Sequence, residues 1–355
     1  MDDDSLQGLK GSETVIKVLV VDDSVFMRKV ISDVLNSEAG IKVIDVAANG
    51  KEAVEKVKNL NPDVVTLDIE MPVMNGLEAL EIIMKENPTP VVMISSLTKA
   101  HAEATLKSLS LGAVDFVAKA GGSISSIKNI RDEIVSKCRM ASKVNVKSIK
   151  PQPVSIIKPP KFGGLSSKKI VAIGTSTGGP RALQEIIPKL PKDFPCGIVI
   201  VQHMPPGFTK SLAERLNSLS EVSVKEAENG DQILPGKVLI APGSHHMIVE
   251  NSINPIVKLN TNPTVNGHRP SADPLLESIA KVFGSKAVGV ILTGMGRDGA
   301  DGMQAIKQQN GYTIAESKST SIVFGMPKAA IDIGVVDIIA PITEVASEII
   351  RAVRQ

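Results

Sequence analysis

Short, nearly all-apolar runs that each close on a polar residue recur along this chain and alternate with amphipathic stretches. From Val15 they read VIKVLVVDD, VFMRKVISDVL, DVVTLD, LEALEIIM, VVMIS and VDFVAK, followed by SSIKNIRDEIVSKC. Strand-like runs alternating with helical ones predict a parallel sheet flanked by helices, and near-continuous apolarity is what strands buried on both faces require. Met27, Val30, Ile31, Val34 and Leu35 recur at helical spacing, so that segment is a helix with one buried face. Every strand of a parallel sheet delivers its C-terminal residue to the same edge. Asp22 and Asp23 end the first run, Asp68 the third and Ser95 the fourth, while Lys119 follows the fifth. Three carboxylates, a hydroxyl and an ammonium at one edge describe an oxygen-lined site for a hard cation, Mg2+ by preference, around one carboxylate free to act as a nucleophile.

The second half repeats this logic with different chemistry. KKIVAI reads as a buried strand and runs into GTSTGGPRALQEII, where Pro180 suits the first turn of a helix. Gly174, Ser176 and Gly178 satisfy G-x-S-x-G, a turn that projects a serine above a sheet next to a helix N-terminus. A serine nucleophile needs a histidine to take its proton and a carboxylate to orient that histidine. Of five histidines, His203 directly ends the strand CGIVIVQH and is placed at the edge of Ser176, with His245 and His246 after KVLIAPGS as runners-up. His101 lies on a helix-like stretch of the first half, and His268 lies in a polar loop, NGHRPSADP, with no preceding strand. AVGVILTGMGRDGADG offers Asp298 on a glycine-rich turn, with Asp301 three residues on. Gly294, Gly296 and Gly299 also match GxGxxG, with Glu316 as the nominal ribose acid, but too little chain follows to complete a dinucleotide-binding sheet.

At 355 residues the chain has room for two or three domains. Its charge divides sharply. Residues 1 to 138 carry 15 basic and 21 acidic side chains, residues 139 to 169 carry 8 and none, and residues 170 to 355 carry 17 of each. The middle stretch holds four Pro, lacks acids and shows no periodicity, which reads as a tether with a basic character. A neutral second half with no Lys/Arg-rich helix argues against a DNA-reading domain, and the lack of Trp with a single Tyr argues against base stacking on single strands. No apolar run approaches the roughly 18 residues of a membrane helix, and the acidic start is unlike a signal peptide, so a soluble cytosolic chain is expected. Cys138 and Cys196 have no metal-ligand spacing and read as reduced thiols.

VDDS, LDIEMPVMNG, MISS and VAKA resemble, in order and spacing, the receiver domain of two-component response regulators. GTSTGGP, IVQHMPPGF, APGSHHM, GHRPSADPL and LTGMGRDGADG resemble the catalytic domain of the chemotaxis protein-glutamate methylesterases. The resemblance implies an α/β chain: a tail (1–14), a flavodoxin-like (βα)5 receiver (15–138), a basic linker (139–168) and a doubly wound, mainly parallel methylesterase domain (169–355). It implies Asp68 as phosphoacceptor, Asp22 and Asp23 as its partners in holding Mg2+, and Ser95, Phe116 and Lys119 as switch residues. It implies Ser176 as nucleophile, His203 as base and acid, Asp298 as orienting carboxylate, and Thr177 with the Met295 N–H around the oxyanion. The expected activity is demethylation of γ-glutamyl methyl esters on chemoreceptors, with glutamine deamidation through the same intermediate. A chemotaxis histidine kinase is the expected phosphodonor, the esterase chemistry is expected to need no cofactor, and the protein is expected to be a monomer. Two other classes stay open, a receiver fused to a nucleotide-binding module and a DNA-binding response regulator.

Overall fold

The computed structural model describes residues 15–96, 98–119, 124–146, 162 and 167–355, with residues 124–130 described by backbone alone. The expected tail and most of the expected linker, residues 147–161 and 163–166, lie outside the described residues.

The first domain has five strands, β1 (Ile16–Val21), β2 (Ile41–Ala47), β3 (Val64–Asp68), β4 (Val91–Ser96) and β5 (Asp115–Lys119). Helices α1 (Val25–Asn36), α2 (Gly50–Leu60), α3 (Gly76–Glu86), α4 (Lys99–Leu111) and α5 (Ile124–Ala141) alternate with them. The sheet order is β2-β1-β3-β4-β5, and every pairing is parallel. Val18 to Val21 and Val64 to Asp68 are all buried, so β1 and β3 form the centre of the sheet with helices on both faces. The helices start where polar residues can take up orphan amides. Ser24 caps α1, Asn49 caps α2, and Asn75 with Glu78 forms a capping box on α3, which fixes the loop after Asp68. Helix α5 runs on to Ala141, three residues into the stretch read as linker. Beyond it Val146 is buried, and Val144 packs at the same cluster as Ile322 and Val323 of the second domain.

The second domain is built on β6 (Ile170–Thr175), β7 (Gly197–Gln202), β8 (Ser223–Glu226), β9 (Lys237–Ile240), β12 (Ala287–Ile291), β13 (Tyr312–Glu316) and β14 (Ile338–Ala340). They form a seven-stranded sheet ordered β14-β13-β12-β6-β7-β9-β8. All its pairings are parallel. Strands β10 (His246–Glu250) and β11 (Ile256–Asn260) form a separate antiparallel hairpin. Helices α6 (Gly179–Ile186), α7 (Phe208–Leu219), α8 (Ala272–Phe283), α9 (Ala300–Gln308), α10 (Met326–Asp332) and α11 (Ile342–Arg354) cover the sheet. The first strand of the domain, β6, lies at the centre, with β7 on one side and β12 on the other. The chain therefore winds outward in both directions from β6, and a crevice opens beyond its C-terminal end. Among the described residues no helix is long and apolar enough to cross a membrane. Burial pushes both thiols, Cys138 and Cys196, up to about 12, so neither is nucleophilic.

Candidate active site and receiver site

At the carboxyl edge of the first sheet, carboxylate oxygens of Asp22, Asp23 and Asp68 lie within 4.8 Å of one another. Asp22 and Asp68 are buried and Asp23 is exposed, so the cluster opens to solvent on one side. Lys119 Nζ reaches Asp22 Oδ2 at 3.0 Å and Asp68 Oδ2 at 2.9 Å. Burial raises the Asp68 carboxyl above its usual range despite that ammonium. Burial also works against the charge of Lys119, but Asp68 and Asp22 outweigh it and hold its pKa above the ordinary value. Hard oxygen donors crowded this closely, short of positive charge, fit Mg2+. Ser95 is at the same edge, but its hydroxyl accepts from Thr105 Oγ1 at 2.8 Å and donates to Ser96 O at 3.3 Å, on the α4 side.

At the carboxyl edge of the second sheet, the turns after β6, β7 and β12 carry Ser176, His203 and Asp298. Each turn is tied to its neighbours. The Ser176 N–H donates to Thr293 O at 3.0 Å, the His203 N–H to Thr175 O at 3.1 Å, and Gln202 Nε2 to Ser176 O at 2.8 Å. Thr293 Oγ1 donates to Thr177 O at 2.9 Å, so one threonine grips the Ser176 turn on both sides. Gly178 has φ +81°, which lets the turn enter α6 directly, and a Cβ at Gly294 would stand 2.8 Å from the Ser176 Cβ. Only glycine lets the Met295 loop come this close to the serine.

His203 Nε2 lies 2.7 Å from Asp298 Oδ2. Asp298 also accepts from the Ala272 N–H at 2.6 Å, Ser271 Oγ at 2.6 Å and Asn266 Nδ2 at 3.1 Å. Burial alone would raise its pKa, yet the bonds from His203, Ser271 and Ala272 prevail and hold the carboxyl well below the usual range. The second ring nitrogen of His203, Nδ1, is buried and has no partner among the described residues. No hydrogen bond joins it to Ser176 in this conformation. Asp301, the other candidate acid, is half exposed and paired with Arg297 at 2.7 Å. His245 and His246 are engaged elsewhere, Nδ1 with Gly243 O at 3.3 Å and Nε2 with Pro263 O at 3.0 Å. Glu316 is 1% exposed and accepts from the Thr293 N–H at 2.8 Å and Thr320 Oγ1 at 2.9 Å. It braces Thr293 through that N–H bond.

The receiver lies over this edge. Phe116 stacks on Phe208 of α7 at 4.6 Å between ring centroids, and Thr177 Oγ1 donates to Asp115 Oδ2. Helix α4 packs against α7, with Lys99 Nζ 3.3 Å from Glu214. Ser136 of α5 reaches Met295 Sδ at 3.6 Å. A cavity of about 560 Å3 remains between the domains, lined by Ser176, His203 and Met295 on one side and Asp115, Phe116 and Lys137 on the other. Burial works against the charge of Lys137, but Asp115 and Glu133 keep its pKa above the ordinary value.

Residues 171–349 match the family model described as CheB methylesterase, and residues 18–130 match that of the response regulator receiver domain. The chain belongs to the CheB methylesterase family. A protein named protein-glutamate methylesterase/protein-glutamine glutaminase from Pyrococcus horikoshii is 49% identical over 95% of this chain and 94% of its own length. One of the same name from Archaeoglobus fulgidus is 50% identical over 95% of this chain and 97% of its own. The crystal structure of the Thermotoga maritima CheB methylesterase catalytic domain superposes on 52% of this chain and 97% of its own, with a TM-score of 0.51 and 49% identity.

Several residues that shape this CheB-type site are not among the sequence-derived candidates. The sequence places His268 in a polar loop without a preceding strand. The structure places β11 before it, and its ring stacks on His203 at 3.9 Å with an interplanar angle of 15°. The Asn-Gly pair of NGHRPS is a turn signal that could have shown the loop folding back. Asn266 and Ser271 on Asp298, and Asp115 on Thr177, depend on contacts between distant segments and leave no local signature.

Proposed function

We propose that this CheB-family chain is a phosphorylation-gated serine hydrolase that demethylates γ-glutamyl methyl esters of chemoreceptors and deamidates receptor glutamines, the activities for which its relatives are named. In this reading Ser176 Oγ attacks the ester carbonyl carbon while its proton passes to His203 Nδ1. The imidazolium, held at Nε2 by Asp298, returns that proton to the departing methanol. Water, activated by the same nitrogen, then cleaves the glutamyl–serine ester, freeing the glutamate carboxylate and regenerating the serine. Glutamine follows the same path with ammonia as leaving group. Thr177 Oγ1 and the Met295 N–H are assigned to the carbonyl oxygen, where negative charge develops. The contact of His203 with Asp298 beside Ser176, on three adjacent strands, carries this assignment.

Asp68 is assigned as the acceptor of a phosphoryl group from a chemotaxis histidine kinase. Mg2+ held by Asp22, Asp23 and Asp68 would supply the positive charge that phosphoryl transfer requires. Asp115 holds the hydroxyl of Thr177, and Phe116, the switch aromatic, is buried against α7. Both observations support a receiver (15–138, its last helix continuing to Ala141) that covers the catalytic domain (169–355) until phosphorylation. Lys119 and Ser95 would then turn toward the phosphoryl group, Phe116 would repack, and the cover would loosen. The linker (139–168) keeps the receiver close at high effective concentration. A cytoplasmic monomer is part of the same reading.

The test is methanol release from methylated receptor with and without a small-molecule phosphodonor and Mg2+. Stimulation that disappears in Asp68→Asn supports the assignment. Release that is indifferent to both would remove the gating, and no release in either state would remove the activity.

A further inference from the structure

We propose that the turn Val265–His268 is a positioning element for the reaction, in which Asn266 holds the carboxylate of Asp298 and His268 holds the ring plane of His203. The inference rests on the Ser176–His203–Asp298 reading and extends it to two residues outside that triad. The turn is closed by reciprocal bonds, Val265 N–H to His268 O at 3.1 Å and His268 N–H to Val265 O at 2.9 Å. Asn266 and Gly267 have φ of 52° and 80°, the left-handed pair of a type I′ turn. That reversal sends the Asn266 side chain and the His268 ring toward the same point. Arg269 fastens the exit of the turn, with Nη1 donating to Thr261 O at 2.7 Å and Asn262 O at 2.9 Å.

Asn266 Nδ2 donates to Asp298 Oδ1 at 3.1 Å and to Asp273 Oδ2 at 2.7 Å. The two acids are both buried, and burial, reinforced by Asp298, pushes the Asp273 carboxyl up to about 7. A neutral donor bridging them keeps Asp298 oriented toward His203 without adding a charge that would compete for it. The His268 ring lies nearly parallel on His203 at 3.9 Å, within van der Waals contact across the whole face. A ring so stacked resists the swing that would carry His203 Nε2 off Asp298. The charged or titratable groups facing His268 are His203, Asp298 and Lys137 of the receiver. Burial and the His203 charge push His268 down to about 4, so at neutral pH it stacks as an uncharged ring and leaves room for the imidazolium that forms on His203.

The experiment uses the full-length protein with Mg2+ and phosphodonor, acting on methylated receptor. His268→Ala and Asn266→Ala are expected to lower kcat roughly tenfold or more with KM within about twofold, since misplacing a reacting group by a fraction of an ångström costs this much. His268→Phe, which keeps a flat ring, is expected to recover most of the loss and to leave the pH profile of the wild type unchanged. An unchanged kcat in His268→Ala, a change confined to KM, or a His268→Phe as slow as His268→Ala would overturn the proposal. A parallel assay without phosphodonor that showed the loss only there would overturn it too, because the effect would then lie in the docked receiver. Should Asn266→Ala melt below the assay temperature, the two His268 variants decide the matter. Ser176→Ala is measured in parallel. Turnover by that variant would sink the triad reading itself, whereas an inactive Ser176→Ala beside normal turn variants would sink only the role of the turn.

Discussion

At the edge of the receiver sheet three carboxylates crowd within 4.8 Å and two of them, Asp22 and Asp68, share one lysine, whereas at the edge of the second sheet one carboxylate, Asp298, is met by His203, Asn266, Ser271 and Ala272. Both sites use the same device, the convergence of parallel strands at their C-terminal ends. The receiver site concentrates like charge and is completed only by what binds to it, which suits a switch. The site at the second sheet satisfies its buried carboxylate with fixed donors, which, on the proposed reading of Ser176, His203 and Asp298, suits control by a cover. Asp115 connects them, because a residue of the receiver's β5 occupies the hydroxyl of Thr177.

The sharpest way to break this contrast is to disable the preformed site. Ser176→Ala or His203→Ala is expected to lower methanol release by about 10^4 to 10^6, since members of a triad act as a unit. Ser176→Ala should melt within a few degrees of the wild type, and a variant retaining more than a tenth of its rate would mean the chemistry lies elsewhere.

Next in size is a test of how the second domain tolerates a deeply buried acid. Burial pushes the Glu316 carboxyl up to about 7 despite its bonds from Thr293 and Thr320. A folded pKa above the unfolded value near 4.5 means that stability is fully present below pH 4.5 and is lost as pH rises to about 7. The shift corresponds to about 3 kcal/mol. Denaturant titrations at several pH values should show Glu316→Gln losing this part of the slope, while the share due to Asp273 persists. A slope identical in the two proteins would show that Glu316 is ionised in the fold at no cost.

In the receiver the same kind of measurement should respond to a ligand. Mg2+ at ten times its dissociation constant is expected to stabilise the wild type by about 1.4 kcal/mol, and Asp23→Ala should abolish the effect. Stabilisation that survives in Asp23→Ala would place the cation outside the cluster. The smallest effect concerns the cover. Asp115→Ala frees the hydroxyl of Thr177 and is expected to raise the unphosphorylated rate about fivefold, equivalent to roughly 1 kcal/mol of docking. A fragment beginning near Ser166 should gain at least as much and ignore phosphodonor. A fragment slower than the unphosphorylated whole would mean that the receiver contributes to receptor binding.

Much of this is legible in the sequence because strand ends in a parallel sheet have nowhere else to go. VVDD, VTLD and VAK place Asp22, Asp68 and Lys119 together for the same reason that VAIGTS and VIVQH place Ser176 beside His203. The helix of Met27 to Leu35 was readable from its spacing, although only Ile31 and Leu35 in it are fully buried. Where the reading stopped, the cause was a contact that local pattern does not encode. His268 lies far from a strand end along the chain, and a left-handed Asn-Gly pair folds that distance away.

The sequence by itself determined the two parallel sheets, the acidic cluster and the meeting of Ser176 and His203 at one edge of the second sheet, since periodicity and strand termini are local properties with only one geometric outcome. The tertiary structure decided how those parts face one another: which nitrogen of His203 meets Asp298, which side chains collect around that carboxylate, and which face of the receiver lies on Thr177 and α7. These depend on side-chain rotamers and on the docking of one surface on another. Their energies arise from contacts between residues tens to hundreds of positions apart, and no local window of sequence contains both partners.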